Sequence, residues 1–398
     1  MCKIDKKQMH LALLGLWHGR NYGAVFTSYA LQQFLKQIDY MVTLLDIADS
    51  DINKDETTPF RQFLQNEGAT TFPTGRETAY SLNNQFDAFV VGSDLVWSHN
   101  YLSQFFFLDF VKAEKRRVGY SCSMSTYTKP PCKYATRVTK LLKRFDGISF
   151  RESTMQSFFK KHYSSEGKWV IDPVFLLGQK HWEHLAEKHV EEKQSHIATY
   201  ILDPTESKRS LILDLHRKTG LSLSNIIDIQ KEGNAERLNL PGTRENVTLY
   251  EWLFNIATCN YFVTDSYHGL CFALIFNKPF ICICNAERGA ARFESLLGRL
   301  ELTQRLISGN TDLVDDGLLT PVQWDKTNKL IQEWVEDSRN WLEKALTAPR
   351  TSEKEEYLNK IEKSIVRKPT LMRKITLNGR IWLHKLLRPV LTILRKRK

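Results

Sequence analysis

Over residues 1–175, short apolar runs alternate with segments of helical periodicity, the pattern of strand–helix–strand units on a parallel sheet. Leu11–Leu16 reads as a strand and Ala24–Gln37 as a helix whose core face carries Val25, Tyr29, Leu31 and Leu35; Val42–Ile47 reads as the next strand. Phe86–Val91 is a buried strand running into Gly92-Ser93-Asp94. Gly147–Phe150 and Val170–Ile171 complete this half, which closes at Asp172-Pro173. A second series fills 176–323, with strands at His196–Leu202, Ser222–Asp228, Tyr261–Thr264 and Phe280–Cys284. Its helices fall at Ser207–Thr219, Thr248–Cys259 and His268–Phe276, the middle one marked by Leu249, Trp252, Leu253 and Ile256 at helical spacing. The expected architecture is α/β: two Rossmann-like, doubly wound domains, 1–175 and 176–323, facing a cleft, followed by C-terminal helices. These are a long return helix over 324–348 (Trp324–Leu346) and a basic amphipathic tail over 349–398.

Composition narrows the class. A chain of 398 residues, 42% hydrophobic and 25% charged, suits two globular domains rather than a disordered or fibrous protein. Leu11–Trp17 follows Lys6 and Lys7 but lacks a small-residue cleavage site, so it reads as a first strand rather than a signal peptide. No run approaches the roughly 18 apolar residues needed to span a bilayer. The seven Cys lack CxxC spacing and read as reduced thiols of a cytoplasmic protein; no metal site is expected.

Charge matters by its location. Residues 350–398 hold 15 Lys+Arg against 4 Asp+Glu, which accounts for the whole net charge of +11. Within 371–394, Leu371, Ile375, Trp382, Leu386, Val390 and Leu394 could form an apolar stripe opposite Arg373, Lys374, Arg380, Lys385 and Arg388. That pattern fits a helix lying on an anionic membrane surface, each cation adding about 1 kcal/mol, or a terminal helix covered by solvent or a partner. With a neutral body and no RNA or DNA motif, nucleic-acid binding is not expected.

In open α/β sheets ligands bind beyond the carboxyl ends of the strands, and several segments there carry chemistry. Asn21-Tyr22-Gly23 joins the first strand to the first helix, whose amino end can receive an anion, although such turns are common. Ser93 and Asp94 follow a buried strand; Asp94 could orient a ligand hydroxyl or an arginine, or simply cap a helix. Arg151, at the tip of a strand, suits carboxylate or phosphate, with a pair to Glu152 as the plain alternative. In Thr264-Asp265-Ser266-Tyr267-His268-Gly269 a strand ends, Asp265 or Ser266 can cap, and His268 enters the first turn of a helix, where it could gain and lose a proton during turnover. Arg288 and Arg292, if helical, would share a face as anion ligands.

Taken in order, these segments resemble the polysaccharide pyruvyl transferase family. The matching stretches are Asn21-Tyr22-Gly23 with Tyr29-Ala30-Leu31, Gly92-Ser93-Asp94 with Val96-Trp97, and Ser149-Phe150-Arg151-Glu152. Asp172-Pro173, Asp265-Ser266-Tyr267-His268-Gly269, Lys278-Pro279-Phe280 and Arg288-Gly289 with Arg292-Phe293 complete the set, across about 11–300. The resemblance implies a GT-B-like fold and transfer of a pyruvyl group from phosphoenolpyruvate, as co-substrate and without other cofactor, onto a sugar as a cyclic ketal. It also implies His268 as the catalytic residue, Arg151 as an anion ligand, and a role in cell-surface polysaccharide synthesis. Some members carry Arg two positions before the His, where this chain has Ser266, so Arg288 or Arg292 would supply that cation. The acceptor is expected to be lipid-linked and the enzyme peripheral on the inner face of the cell membrane. A nucleotide-sugar glycosyltransferase is the competing expectation, weakened by Glu287 and Glu294 lying six residues apart between them, where seven would be usual.

Overall fold

The computed structural model describes residues 9–365 except 18–20, 48–57, 76–77, 99–103, 193, 229–231 and 286–287. The first domain runs β1 (His10–Leu14), α1 (Tyr22–Gln37), β2 (Met41–Ile47), α2 (Pro59–Asn66), β3 (Thr71–Thr74), β4 (Ala88–Val91), β5 (Arg116–Cys122), α3 (Cys132–Leu142), β6 (Gly147–Phe150), α4 (Thr154–Tyr163) and β7 (Lys168–Trp169). Its seven strands form one parallel sheet in the order β3-β2-β1-β4-β5-β6-β7. After α5 (Gln179–Ala186), the second runs β8 (His196–Ile201), α6 (Glu206–Thr219), β9 (Ser222–Ile227), α7 (Asn234–Leu238), β10 (Thr243–Arg244), α8 (Leu249–Thr258), β11 (Tyr261–Thr264), α9 (Tyr267–Ile275), β12 (Phe280–Ile283), α10 (Ala291–Arg299) and β13 (Leu306–Ile307). These strands pair in parallel as β10-β9-β8-β11-β12-β13.

Both sheets are doubly wound, and strand order reverses at β1/β4 and at β8/β11. Helices cover both faces, which is why β4 (Ala-Phe-Val-Val) and β12 (Phe-Ile-Cys-Ile) are apolar throughout and fully buried. Caps fix where the helices begin. The Asn21 side chain accepts from Ala24 N–H, and the Thr248 hydroxyl accepts from Glu251 N–H.

The two domains share an aromatic core. Tyr22 of α1 stacks on Trp252 of α8 with ring centroids 5.8 Å apart, and its hydroxyl donates to Val247 O at 2.8 Å. Phe26, one turn further on, packs against Trp182, Trp252 and Phe272. One helix of the first domain is thereby inserted among helices of the second.

The chain then returns to the first sheet. In α11 (Trp324–Thr347), Ser338 Oγ accepts from Ile171 N–H at 3.0 Å, and Ala345 sits where a Cβ on Gly147 of β6 would come within 2.6 Å. Arg116 donates to the terminal carbonyls of Ala345 and Ala348. Beyond it, α12 (Ser352–Ile365) also docks: Arg350 pairs with Asp146 at 2.6 Å, Lys354 donates to Phe145 O, and Leu358 is buried. The segment read from sequence as a tail beginning at 349 is therefore, at its start, part of the folded body. The amphipathic stretch 371–394 lies outside the described residues. No helix among the described residues is long and apolar enough to cross a membrane.

Candidate active site

Three strands of the first sheet end together in charged residues. Asp94 follows β4, Arg151 and Glu152 follow β6, and Asp172 follows β7, where its carboxylate caps a short turn by accepting from Val174 N–H. The Arg151 side chain is wholly buried. It donates to Asp94 Oδ1 at 2.9 Å and to Asp172 Oδ2 at 3.1 Å, and its Nε lies 3.9 Å from Glu152 Oε2. Burial opposes ionisation of Asp94, but Arg151 beside it, helped by His268 and Arg292, holds its carboxyl down to about 2. Glu152 accepts from the hydroxyls of Ser123 and Tyr127, and burial still pushes its carboxyl up.

The second domain contributes the amino end of α9 and the start of α10. Ser266 caps α9 by accepting from Gly269 N–H, which sets Tyr267 and His268 in the first turn, facing the first domain. The Tyr267 ring lies against Arg151 (4.6 Å to its centroid) and Arg292 (5.5 Å), and 5.3 Å from the His268 ring. His268 is 6% exposed, and its Nε2 reaches Thr27 Oγ1 at 3.0 Å and Asp172 Oδ2 at 3.7 Å. Arg292 is 8% exposed. It lies 4.0 Å from Asp94, its Nη2 donates to Arg288 O, and its Nε has no partner. Burial and the neighbouring Arg151 charge make its guanidinium less comfortable than usual.

The structure thus brings together Asp94, Arg151, His268 and Arg292, with Asn21, Gly23 and Ser266 shaping the surroundings. Gly23 is required by contact, since a Cβ there would lie 2.0 Å from His268 Nδ1. Other candidates are engaged elsewhere. Tyr22 belongs to the interdomain core, and the Ser93 hydroxyl donates to Ser121 O. Asp265 accepts from the N–H groups of Leu202 and Asp203 and from Lys208 Nζ. Arg288 and Arg292 do not share a helix face: α10 starts only at Ala291, after Gly289 turns with φ 98°. Arg288 instead pairs with Asp203 at 2.6 Å and Asp228 at 3.4 Å. Asp172, Thr27 and Tyr267 were not assigned a role from sequence, and Glu152 was expected there only as a partner for Arg151, from whose Nε it lies 3.9 Å. Asp172-Pro173 and Tyr267 lie in recognised motifs, but nothing marks Thr27 within a helix. No group of three or more His, Cys, Asp or Glu among the described residues is arranged to hold a metal ion.

Comparison with known proteins bears on this arrangement. The structure of AviGT4, a glycosyltransferase involved in avilamycin A biosynthesis, aligns with a TM-score of 0.52 at 11% identity, covering 86% of this chain and 99% of that one. A glycosyltransferase from Rickettsia africae aligns at 0.48 and 10% identity (90% and 99% covered), and the wall teichoic acid polymerase TagF at 0.45 and 10% (91% and 90%). The fold is of the GT-B type. No curated protein matches. The sequence model of polysaccharide pyruvyl transferases matches residues 21–286, a span that includes Asp94, Arg151, Asp172 and His268. With two thirds of its length so matched, the chain belongs to the polysaccharide pyruvyl transferase family.

Proposed function

We propose that the protein transfers a pyruvyl group from phosphoenolpyruvate to two hydroxyls of a sugar, forming a cyclic ketal. The observation that carries this reading is Arg292, a buried guanidinium that meets a carboxylate only at 4.0 Å, leaves its Nε without a hydrogen-bond partner and lies, like Arg151, against the Tyr267 ring next to His268. A buried cation short of partners is stabilised by a multiply charged anion. Arg292 takes the place suggested for the arginine missing at Ser266. Arg151, expected from the resemblance to be an anion ligand, is instead spent on Asp94 and Asp172 and fixes those carboxylates beside Arg292.

His268, protonated, gives its proton to the methylene carbon of the enol phosphate, and the double-bond electrons form the new C–H bond. The central carbon becomes electrophilic and a sugar hydroxyl adds, returning its proton to His268. Phosphate departs with the C–O bonding pair, and the second hydroxyl closes the ketal, its proton leaving with phosphate. The acceptor is taken to be a lipid-linked unit of a cell-surface polysaccharide, made at the inner face of the cell membrane and approached with the help of residues 371–394.

The fold likeness to glycosyltransferases keeps a nucleotide-sugar donor as the rival reading. Thermal shift separates the two. Phosphoenolpyruvate is expected to raise the Tm of the wild type and not of Arg292→Gln, and nucleotide-sugars to leave both unchanged. Stabilisation by nucleotide-sugars alone would overturn the proposal. In a mass-spectrometric assay over lipid-linked sugars, His268→Ala is expected to lose about 10²–10⁴ in rate.

A further inference from the structure

Gly23 and Thr27 are four residues apart on α1 and so share a face of that helix, and the His268 ring lies along it. The Nδ1–Cγ side of the ring packs against Gly23 at the start of the helix, with no room for a methyl group between them. The Nε2 edge points inward, 3.0 Å from Thr27 Oγ1. The Thr27 hydroxyl donates in turn to Asp172 Oδ1 at 3.4 Å. An ionised carboxylate only accepts, so it takes the Thr27 proton and leaves the Thr27 oxygen to accept from Nε2–H. Asp172 is itself fixed, without exposed side chain, by Arg151 and Val174 N–H. Burial pushes its carboxyl up, but the neighbouring His268 and Arg151 outweigh burial and hold it below the usual carboxylate range.

We infer that Asp172, acting through Thr27, is a positioning group that holds neutral His268 as the Nε2–H tautomer and leaves Nδ1, at the first turn of α1, as the nitrogen that exchanges protons with substrate. What the proton does rests on the pyruvyl-transfer reading, whereas the tautomer belongs to the resting protein. Nδ1–H protonates the methylene carbon, the ring relaxes to its Nε2–H form, and Nδ1 then receives the proton of the attacking hydroxyl.

Thr27 is the residue to change, because Asp172 also anchors Arg151. The experiment uses full-length protein labelled with ¹⁵N-histidine, His268 being assigned by the signals lost in His268→Asn. In the neutral wild type the proton is expected on Nε2, and Thr27→Val is expected to lose that preference. Thr27→Val should lower kcat about 10–100-fold, with the KM for phosphoenolpyruvate little changed, and Thr27→Ser should restore most of it. A wild-type proton on Nδ1, or wild-type kcat in Thr27→Val, overturns the inference. If the tautomer shifts as expected but no protein consumes phosphoenolpyruvate, the positioning role stands and the pyruvyl-transfer reading falls.

Discussion

A single methyl group at position 23 would collide with the His268 ring. The added Cβ would meet His268 Nδ1, Cγ and Cβ at 2.0, 2.3 and 2.7 Å, and the ring is held from its other edge by Thr27. Gly23→Ala is therefore expected to destabilise the protein by about 1–3 kcal/mol through overpacking and to abolish turnover, both read from a Tm and a rate on the same sample. Asp94 supplies a second prediction at this scale. Its carboxyl lies below its unfolded value, so its contribution to stability is complete above the ordinary carboxylate range and is lost as pH falls from about 4 to about 2. Asp94→Asn should flatten the urea-midpoint profile in that window; an unchanged slope would show that Arg151 gains nothing from this pair. His268 and Arg151 were legible because each follows closely on a buried strand, Arg151 directly after β6 and His268 in the first turn of the helix after β11. Thr27 and Asp172 were not legible as a pair, because their relation is made by two elements more than a hundred residues apart.

Among the elements, β4 and β12, apolar throughout, and β1 and β11, apolar but for His10 and Thr264, could be read directly from the chain. β5 could not, although it lies near the middle of the first sheet. It opens with Arg116 and Arg117 and interleaves Gly119 and Ser121 with Val118, Tyr120 and Cys122, so no apolar run announces it. The glycine is demanded by its neighbour, since a Cβ on Gly119 would lie 2.9 Å from the Trp97 ring, and Ser149 Oγ bridges the backbone of Ser121 (N–H) and Gly119 (O). Arg117, fully buried, donates to Arg144 O, so here a charged side chain serves the interior. The same blindness hid α12, whose Glu-rich first turn masks the one face that meets the first domain. Leu358→Ala on that face should cost about 2–4 kcal/mol, measured by urea unfolding; a surface-like effect would mean that α12 is not docked in solution.

At the scale of the whole molecule, charge is unevenly distributed along the chain. Residues 366–398 carry eleven Lys+Arg and no Asp or Glu, while the rest of the chain is neutral. Deleting 366–398 is expected to leave turnover on a water-soluble acceptor intact and to abolish sedimentation with vesicles rich in an anionic lipid. Vesicle binding that survives the deletion would move the membrane-facing surface to the folded body. Cohesion between the halves comes instead from α1, which carries Tyr22 and Phe26 into the shared aromatic core while its adjacent face, Gly23 and Thr27, receives His268. A compound wedged beside Trp252 would therefore silence the imidazole without touching it. Neither half, expressed by itself, should retain even a trace of the reaction.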